Sequence, residues 1–478
     1  MIELQSLVQT IQATIWGVPL LLLLIGVGIY LTCLLRGMQF RYLFSAFFMK
    51  EPKEDLSEKE VEKATVKGDI SSFQSLMTAM ASAVGTGSIV GAATAITAGG
   101  LGAIFWMWVT TLITMAIKYA EALLAVKYRV VDERGEMAGG PMQYIERGLG
   151  WKWMATLFAG FASIAAIGTG NLVQVNSIAQ ALGNVFAVDP FITGIVLAVV
   201  TAFVLLKGIR GIGFVSSILV PVMASFYILA GIVVLFFFSS KLPEAVSLIF
   251  SSAFTGQAAC GGFIGSTVMM AMQSGVSRSV FSSEAGLGIS SIAAAAARTK
   301  SSAKQALLSM SATLLSTAII CSITALTIAV TGVMGSVDET GKMVNGAPLA
   351  IAAFNSAFSG GQYVVTLGLI LFAYTTVIAW AYYGEKCFEY LFGIKYVLIY
   401  RIVYIVLVIP GALFALEVVW SFADIMNGLM IIPNMVALLG LSGVIQKETK
   451  KFLVQVEPKA ELAVRQGAPI DALVAGEL

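Results

Sequence analysis

Two strings of small and polar residues stand where an apolar chain accommodates them least. Ala83-Val84-Gly85-Thr86-Gly87-Ser88-Ile89-Val90-Gly91 and Met272-Gln273-Ser274-Gly275-Val276-Ser277 each lie inside a run otherwise long enough to cross a bilayer. Glycine lowers the cost of unwinding a helix, and hydroxyl and amide side chains replace the backbone bonds that unwinding releases. A pair of Gly-interrupted spans in corresponding halves of a chain points to a transporter binding site. The chemistry is then non-covalent capture of a zwitterion. Amides of Thr86, Gly87 and Ser88 present the positive end of a half-helix to a carboxylate, and carbonyls freed near Gln273, Ser274 and Gly275 present the opposite polarity to an ammonium. Such pairing matters because unpaired charge inside a bilayer is costly. A second reading stays open: Ala79, Ala83, Gly87 and Gly91 recur every four residues, as in a close-packed helix interface.

Other polar residues within apolar runs extend the candidate site. Asn171 and Gln174 are three apart on one helix face, suited either to orient substrate or to bond to a neighbouring helix. Thr375 and Thr376 are adjacent hydroxyls, about 100° apart around their helix, that can flank a cation or bond back to their own carbonyls. Trp380, Met270 and Met272 are bulky enough to restrict a pocket or to serve as core. Lys118 and Glu121, spaced i,i+3, are expected to neutralise each other. Arg278 and Glu284 are placed at the inner end of their span, and Asp424 with Asn427 forms a similar polar pair. With no histidine and no Ser/Lys or paired-Asp constellation in mid-membrane, an intramembrane hydrolase is excluded. Cys33, Cys260, Cys321 and Cys387 are too dispersed for a zinc site or a disulfide framework.

The elements that must position these groups follow from composition. Of 478 residues 58% are hydrophobic and only 12% charged, with a mean hydropathy of +0.89, which excludes a water-soluble enzyme. A net charge of +2 gives no nucleic-acid footprint. Apolar segments near 13–35, 71–98, 101–127, 153–180, 190–206, 214–238, 258–282, 304–331, 362–387, 395–413 and 417–445 predict eleven transmembrane helices. Alternate connections and the tail collect 25 lysines and arginines against two on the other side, so the N-terminus is expected outside and the C-terminus in the cytoplasm. The chain divides into residues 1–70, an extra N-terminal helix and charged cytoplasmic linker; 71–238 and 239–445, two five-helix repeats; and 446–478, a polar cytoplasmic tail. The 332–361 loop, with Asp338, Glu339 and Lys342, is expected on the outside. Leaving aside the first span, the two interrupted spans are helices one and six of ten, the pattern of a five-plus-five inverted repeat.

Four ordered motifs then become specific: GTGSIVG (85–91), GGPMQYI (139–145), GNLVQVNSIA (170–179) and VFSSEAGLG (280–288), with YYGEKCFEYLFG (382–393) extending the match. Together they resemble the signatures of the alanine/glycine:cation symporter family of the amino acid-polyamine-organocation superfamily. The resemblance implies an all-α, leucine-transporter-like membrane protein that carries small amino acids with sodium or protons across the cell membrane. It also implies a sodium site made of the carbonyls of Ala81, Val84 and Phe372 and the hydroxyls of Thr375 and Thr376. The substrate set is Thr78, Ala83, Gly85, Thr86, Gly87, Asn171, Gln174, Gln273, Ser274, Gly275 and Trp380. Ser88 and Ser283 depart from the family, standing where asparagine is expected. The partners are the amino acid and the lipid bilayer; sodium is the coupling ion, and no organic cofactor is implied. Sodium against proton, alanine against glycine, the enantiomer and the oligomeric state stay open at this point. An ion channel is the different-class alternative, though no filter motif or ring of charge is evident.

Overall fold

The computed structural model describes residues 10–43, 68–255, 267–337, 341 and 343–465. The described residues are overwhelmingly helical. The longer helices are α1 (Val18–Leu34), α2 (Ser72–Ala83), α3 (Ala92–Gly99), α4 (Gly102–Lys127), α5 (Lys152–Phe186), α6 (Pro190–Leu205), α7 (Gly208–Phe237) and α8 (Leu242–Thr255). After these come α9 (Val268–Ser283), the short α10 (Ser291–Ala295), α11 (Ser302–Thr331), α12 (Ala347–Ala357), α13 (Gly361–Phe392), α14 (Ile394–Leu413), α15 (Leu416–Gly440) and α16 (Ser442–Arg465). Seven are long and apolar enough to cross a membrane, and an eighth span is the bent pair formed by α2 with Gly87–Gly99. By contrast α1, at 17 residues, and α6, at 16, are shorter than the ~20 residues a perpendicular crossing needs. The linker residues 50–67, the charged residues 338, 339 and 342, Cys260 and the last thirteen residues fall outside the described set.

Burial separates an inner bundle from a lipid-facing shell. In α4 83% of the most apolar stretch is buried, whereas in α7 and α14 the share is 33%. Phe203, Leu206, Phe214, Leu229, Phe236, Leu398 and Ile402 are exposed around the bundle, as a lipid-facing surface requires.

The broken helices sit side by side in opposite directions. Ser71 starts α2 with a capping box: its hydroxyl accepts from Gln74 N and the Gln74 side chain accepts from Ser71 N. Near this start, Asp69 N donates to Ala296 O (2.9 Å) and Ser75 Oγ to Ala293 O (2.8 Å), joining it to the end of α10. At the other end, Gly99 lies against Met270 and Ala271 at the start of α9. The two helices therefore run antiparallel.

A hairpin closes the face where α2 begins. Strands β1 (Val130–Val131) and β2 (Met137–Ala138) pair antiparallel, and Asp132 Oδ1 accepts from the amides of Arg134 and Glu136 in the turn. Ion pairs fasten it to the end of α13: Lys386 to Asp132 (2.6 Å) and Glu136 (3.2 Å), and Arg134 to Glu389 (2.7 Å). Arg129 donates to the carbonyls of Ala295, Ala297 and Thr299, filling acceptors left open beyond α10. Asp69 accepts from Met137 N (2.8 Å); burial raises its pKa and that amide opposes the rise. The expected boundary of a polar tail at 446 falls inside α16, which runs from Ser442 and is tied to α4 by Lys127–Glu448 (2.5 Å) and Tyr119–Thr449 (2.9 Å).

Candidate functional site

The first break lies where composition predicts it. Regular α-structure stops at Ala83, Val84 turns out of it (ψ 71°), and the chain resumes through a π-type turn over Gly87–Gly91. Close approach explains the glycines. A Cβ on Gly85 would come 2.3 Å from Thr376 Oγ1 and 3.1 Å from Gln174 Oε1, and one on Gly87 would come 2.8 Å from Phe281 Cδ1. Gln174 itself accepts from Thr86 N (3.1 Å) and donates to Thr169 O (2.9 Å), a carbonyl within the π turn Ala166–Leu172 of α5. It therefore bridges two irregular segments. The Thr86 hydroxyl is fully buried beside it without a hydrogen-bond partner among the described residues.

The second break is not where it was expected. α9 is regular through Gln273, Ser274 and Gly275 and ends at Ser283; the chain then turns left-handed at Glu284 (φ 56°), Gly286 (φ 98°) and Gly288 (φ 75°). Gly275 instead serves close packing, since a Cβ there would lie 2.4 Å from Ala103 O of α4. Composition alone cannot separate a glycine that lets helices touch from one that lets a helix end. The segment that unwinds is the EAGLG portion of the fourth motif.

The buried charges of α4 hold this second break. Lys118 Nζ donates to Ser283 O (2.8 Å) and to Ser290 Oγ, while Glu121 Oε1 accepts from Gly286 N (3.0 Å), Gly288 N (3.0 Å) and Asn434 Nδ2 (2.7 Å). No Lys118–Glu121 ion pair forms within 4 Å; the cation takes acceptors and the anion takes donors that unwinding released. The expected i,i+3 pair is thus not a direct contact: the two charges remain neighbours and attract each other, but each is bonded to the broken segment. Glu284, also fully buried, receives Ser82 Oγ (2.8 Å) and Trp380 Nε1 (2.5 Å), and Tyr383 OH lies 3.1 Å from the same Ser82 hydroxyl.

Oxygens converge between α2 and α13. Ala81 O lies 2.9 Å from Thr376 Oγ1 and 3.5 Å from Thr375 Oγ1; Phe372 O lies 2.9 and 3.0 Å from the same hydroxyls; and Ser82 O is 3.5 Å from Thr376 Oγ1. A hard cation with oxygens at about 2.4 Å needs octahedral neighbours about 3.4 Å apart; the two 3.5 Å spacings match this, and the three of 2.9–3.0 Å are hydrogen bonds. The hydroxyls bond back to Phe372 O of their own helix, as one of the two sequence readings expects, and also reach across to Ala81 O of α2. Among the described residues no group of three His, Cys, Asp or Glu forms a metal site. The oxygens of this cluster are carbonyls and hydroxyls, all neutral.

Above Gly87, on the face carrying residues 10–16, aromatic rings close the site. Phe281 stacks on Trp420 (4.6 Å, 29°), and Arg278 lies over Trp420 at 4.5 Å while forming two hydrogen bonds to Asp424 (3.2 and 2.7 Å). Beyond them is a pocket of about 380 Å³ whose walls include Gln12, Gln273, Ser274, Arg278, Trp420 and Asp424. Arg278 thus belongs to this face and pairs across to α15, not to the opposite end of α9 with Glu284.

The predicted residues sort accordingly. Gly85, Thr86, Gly87 and Gln174 meet at the first break, with Ala83 and Val84 at the end of α2 and Ala81, Phe372, Thr375 and Thr376 beside it. Trp380 reaches the site through Glu284. Thr78 lies lower on α2, its hydroxyl on Gln74 O. Asn171 donates to Tyr404 O (2.6 Å), a packing bond, and Met270 is exposed. Sequence reasoning missed Ser82, Phe281, Trp420 and Tyr383 as site residues; only Phe281 and Tyr383 carried a signal, since they lie inside the motifs 280–288 and 382–393.

A family model described as the sodium:alanine symporter family matches residues 1–466. The chain is 48% identical to the sodium/alanine symporter AgcS of Methanococcus maripaludis, covering 94% of this chain and 97% of that one. It is 46% identical to an uncharacterized transporter of Haemophilus influenzae, over 95% and 97%, and 34% identical to a putative sodium/proton-dependent alanine carrier protein of Bacillus subtilis, over 91% and 90%. Among solved structures, MhsT in complex with L-phenylalanine shares the fold at TM-score 0.56 and 14% identity, covering 81% of this chain and 99% of that chain.

Proposed function

The chain belongs to the sodium:alanine symporter family, and on that premise we propose that it imports small neutral amino acids, alanine and glycine, coupled to sodium by alternating access. The observation that carries this reading is the joint between the first break and α13, where Gly85 touches both the Thr376 hydroxyl and Gln174. An ion bound by Ala81, Val84, Phe372, Thr375 and Thr376 pulls the broken helix onto α13, and the same movement sets the unpartnered Thr86 hydroxyl for a carboxylate, together with the Thr86 and Ser88 amides that here bond to Gln174 and to Gly85 O. Coupling then needs no titrating group.

Substrate is held between the two breaks. Gly85, Thr86, Gly87 and Gln174 form the carboxylate side, supported by the buried Thr86 hydroxyl without a partner. The ammonium side shifts from Gln273, Ser274 and Gly275 to the carboxylate of Glu284, which lies on the broken segment and is bonded to Ser82 of α2. Trp380 and Phe281 bound the volume, which favours a small side chain. Thr78, Ala83 and Asn171 act at one remove, through backbone and packing.

In the membrane, the face carrying residues 10–16 is outer, and the hairpin, Arg129 and α16 are cytoplasmic. The uneven distribution of basic residues supports this orientation. On it the chain has eleven crossings: α1 as an extra helix, then residues 71–238 and 239–445 as inverted repeats. One sodium moving with 100 mV and a tenfold gradient supplies ~2.3 plus ~1.4 kcal/mol, enough for accumulation of roughly 500-fold. The deciding experiment is alanine uptake into proteoliposomes. Saturable uptake driven by a sodium gradient at equal pH is expected; uptake that follows a proton gradient alone, or unsaturated current, refutes the reading.

A further inference from the structure

Residues 10–16 lie outside the repeats, yet their contacts converge on one residue of the aromatic closure. Gln12 Nε2 donates to Asp424 Oδ2 (2.7 Å) and Trp16 Nε1 to Asp424 O (2.9 Å). Ile15 is seated in a notch on α15, because a Cβ on Gly428 would come 2.3 Å from Ile15 Cγ2. Asp424 is 1% exposed, and its carboxylate is shared between Gln12, beside its own helix, and Arg278, from α9. From Asp424 the contacts descend through Arg278, Trp420 and Phe281 to Gly87 at the first break.

We propose that Gln12 and Trp16 are positioning residues for transport: they make the N-terminal segment the fixed partner of Asp424, so that Arg278 can leave and return as the site opens and closes. The argument rests on which groups move together. Gln12, Trp16 and Ile15 are anchored on α15, as is Asp424, whereas Arg278 and Phe281 belong to α9. Separating Phe281 from Trp420 therefore parts Arg278 from Asp424 but leaves Gln12 in place. A buried carboxylate stripped of every partner is costly, so the remaining amide bond selectively stabilises the open state. In the closed state Asp424 already has Arg278, and Gln12 contributes less to it.

The inference rests on the outward orientation proposed above. Its test uses Cys321 as a native reporter, buried beneath the closure with its thiol 3.2 Å from Ser282 Oγ. Cys33, Cys260 and Cys387 are replaced by serine, and intact cells are treated with a small impermeant thiol reagent. Gln12→Leu is expected to slow modification of Cys321 and lower uptake at limiting alanine, each by about tenfold, the factor for one hydrogen bond to a charged group. Combined with Arg278→Leu, which removes the exchanging partner, Gln12→Leu is expected to add nothing; a general folding defect would persist there. Unchanged or faster labelling in Gln12→Leu, or an equal slowing in both backgrounds, overturns the proposal. Failure of the orientation is separately visible, because unaltered Cys321 would then be modified only in inside-out vesicles, where the same comparison is decisive.

Discussion

Replacing Thr376 by valine keeps the side chain's shape and removes one oxygen from the cluster between α2 and α13. That oxygen lies 2.9 Å from both Ala81 O and Phe372 O and 3.5 Å from Ser82 O, so it stands at the centre of the group. Its contact with a cation is worth about 1.5–3 kcal/mol, as for a hydrogen bond to a charged group. Part of this is offset, because without the ion the hydroxyl still bonds to a carbonyl at about 1 kcal/mol. The net loss of roughly 0.5–2 kcal/mol corresponds to a ~2- to 30-fold rise in the sodium concentration for half-maximal alanine uptake. Thr376→Ser retains the oxygen and should stay near the wild-type value. Thr375→Ala with Thr376→Ala should exceed either single change, without strict additivity, since both hydroxyls share Ala81 O and Phe372 O. Uptake into proteoliposomes over a sodium series measures the shift, and the rise of melting temperature with sodium checks binding independently. Unchanged sodium dependence in the folded double variant refutes the assignment and makes proton coupling the better reading.

Three further outcomes are expected. Glu121→Ala leaves two backbone amides and Asn434 without their acceptor and Lys118 without its neighbouring anion, so stability should fall by about 3–5 kcal/mol; Glu121→Gln, which keeps an oxygen, should cost less, and equal melting temperatures in detergent would contradict the clamp. Gly85→Ala should abolish sodium-dependent uptake in a folded protein because its methyl would meet Thr376, whereas Gly160→Ala, with open space around it, should transport normally; uptake assays on both decide the point. A cysteine at Lys342 should react with an impermeant reagent on intact cells and one at Arg134 should not, and outside labelling at Arg134 would reverse the orientation.

Much was legible in the sequence wherever local chemistry sufficed. Sparse charge and long apolar runs require a membrane, and the motifs identify the family without reference to any contact. The first break was readable because Gly85, Thr86, Gly87 and Ser88 stand together at the place where the helix stops. Thr375 and Thr376 were readable because adjacent hydroxyls are unusual in so apolar a span.

The second break was decided by tertiary structure. Gly275 and the pair Gly286 and Gly288 offer the same freedom, but only the latter have Glu121 and Asn434 to receive the released backbone groups, and only Ser283 has Lys118. Those partners are 148 to 167 residues away. In the same way Lys118 and Glu121 read as a pair along their own helix, yet both turn to the same broken segment, Lys118 to its acceptors and Glu121 to its amides. Arg278 found Asp424 across 146 residues and Asp424 found Gln12 across 412, so the closure was invisible to spacing. Helical periodicity is a local property of the chain. The need to satisfy every buried polar group is not, and in an apolar medium it is met by whichever helix the fold brings alongside.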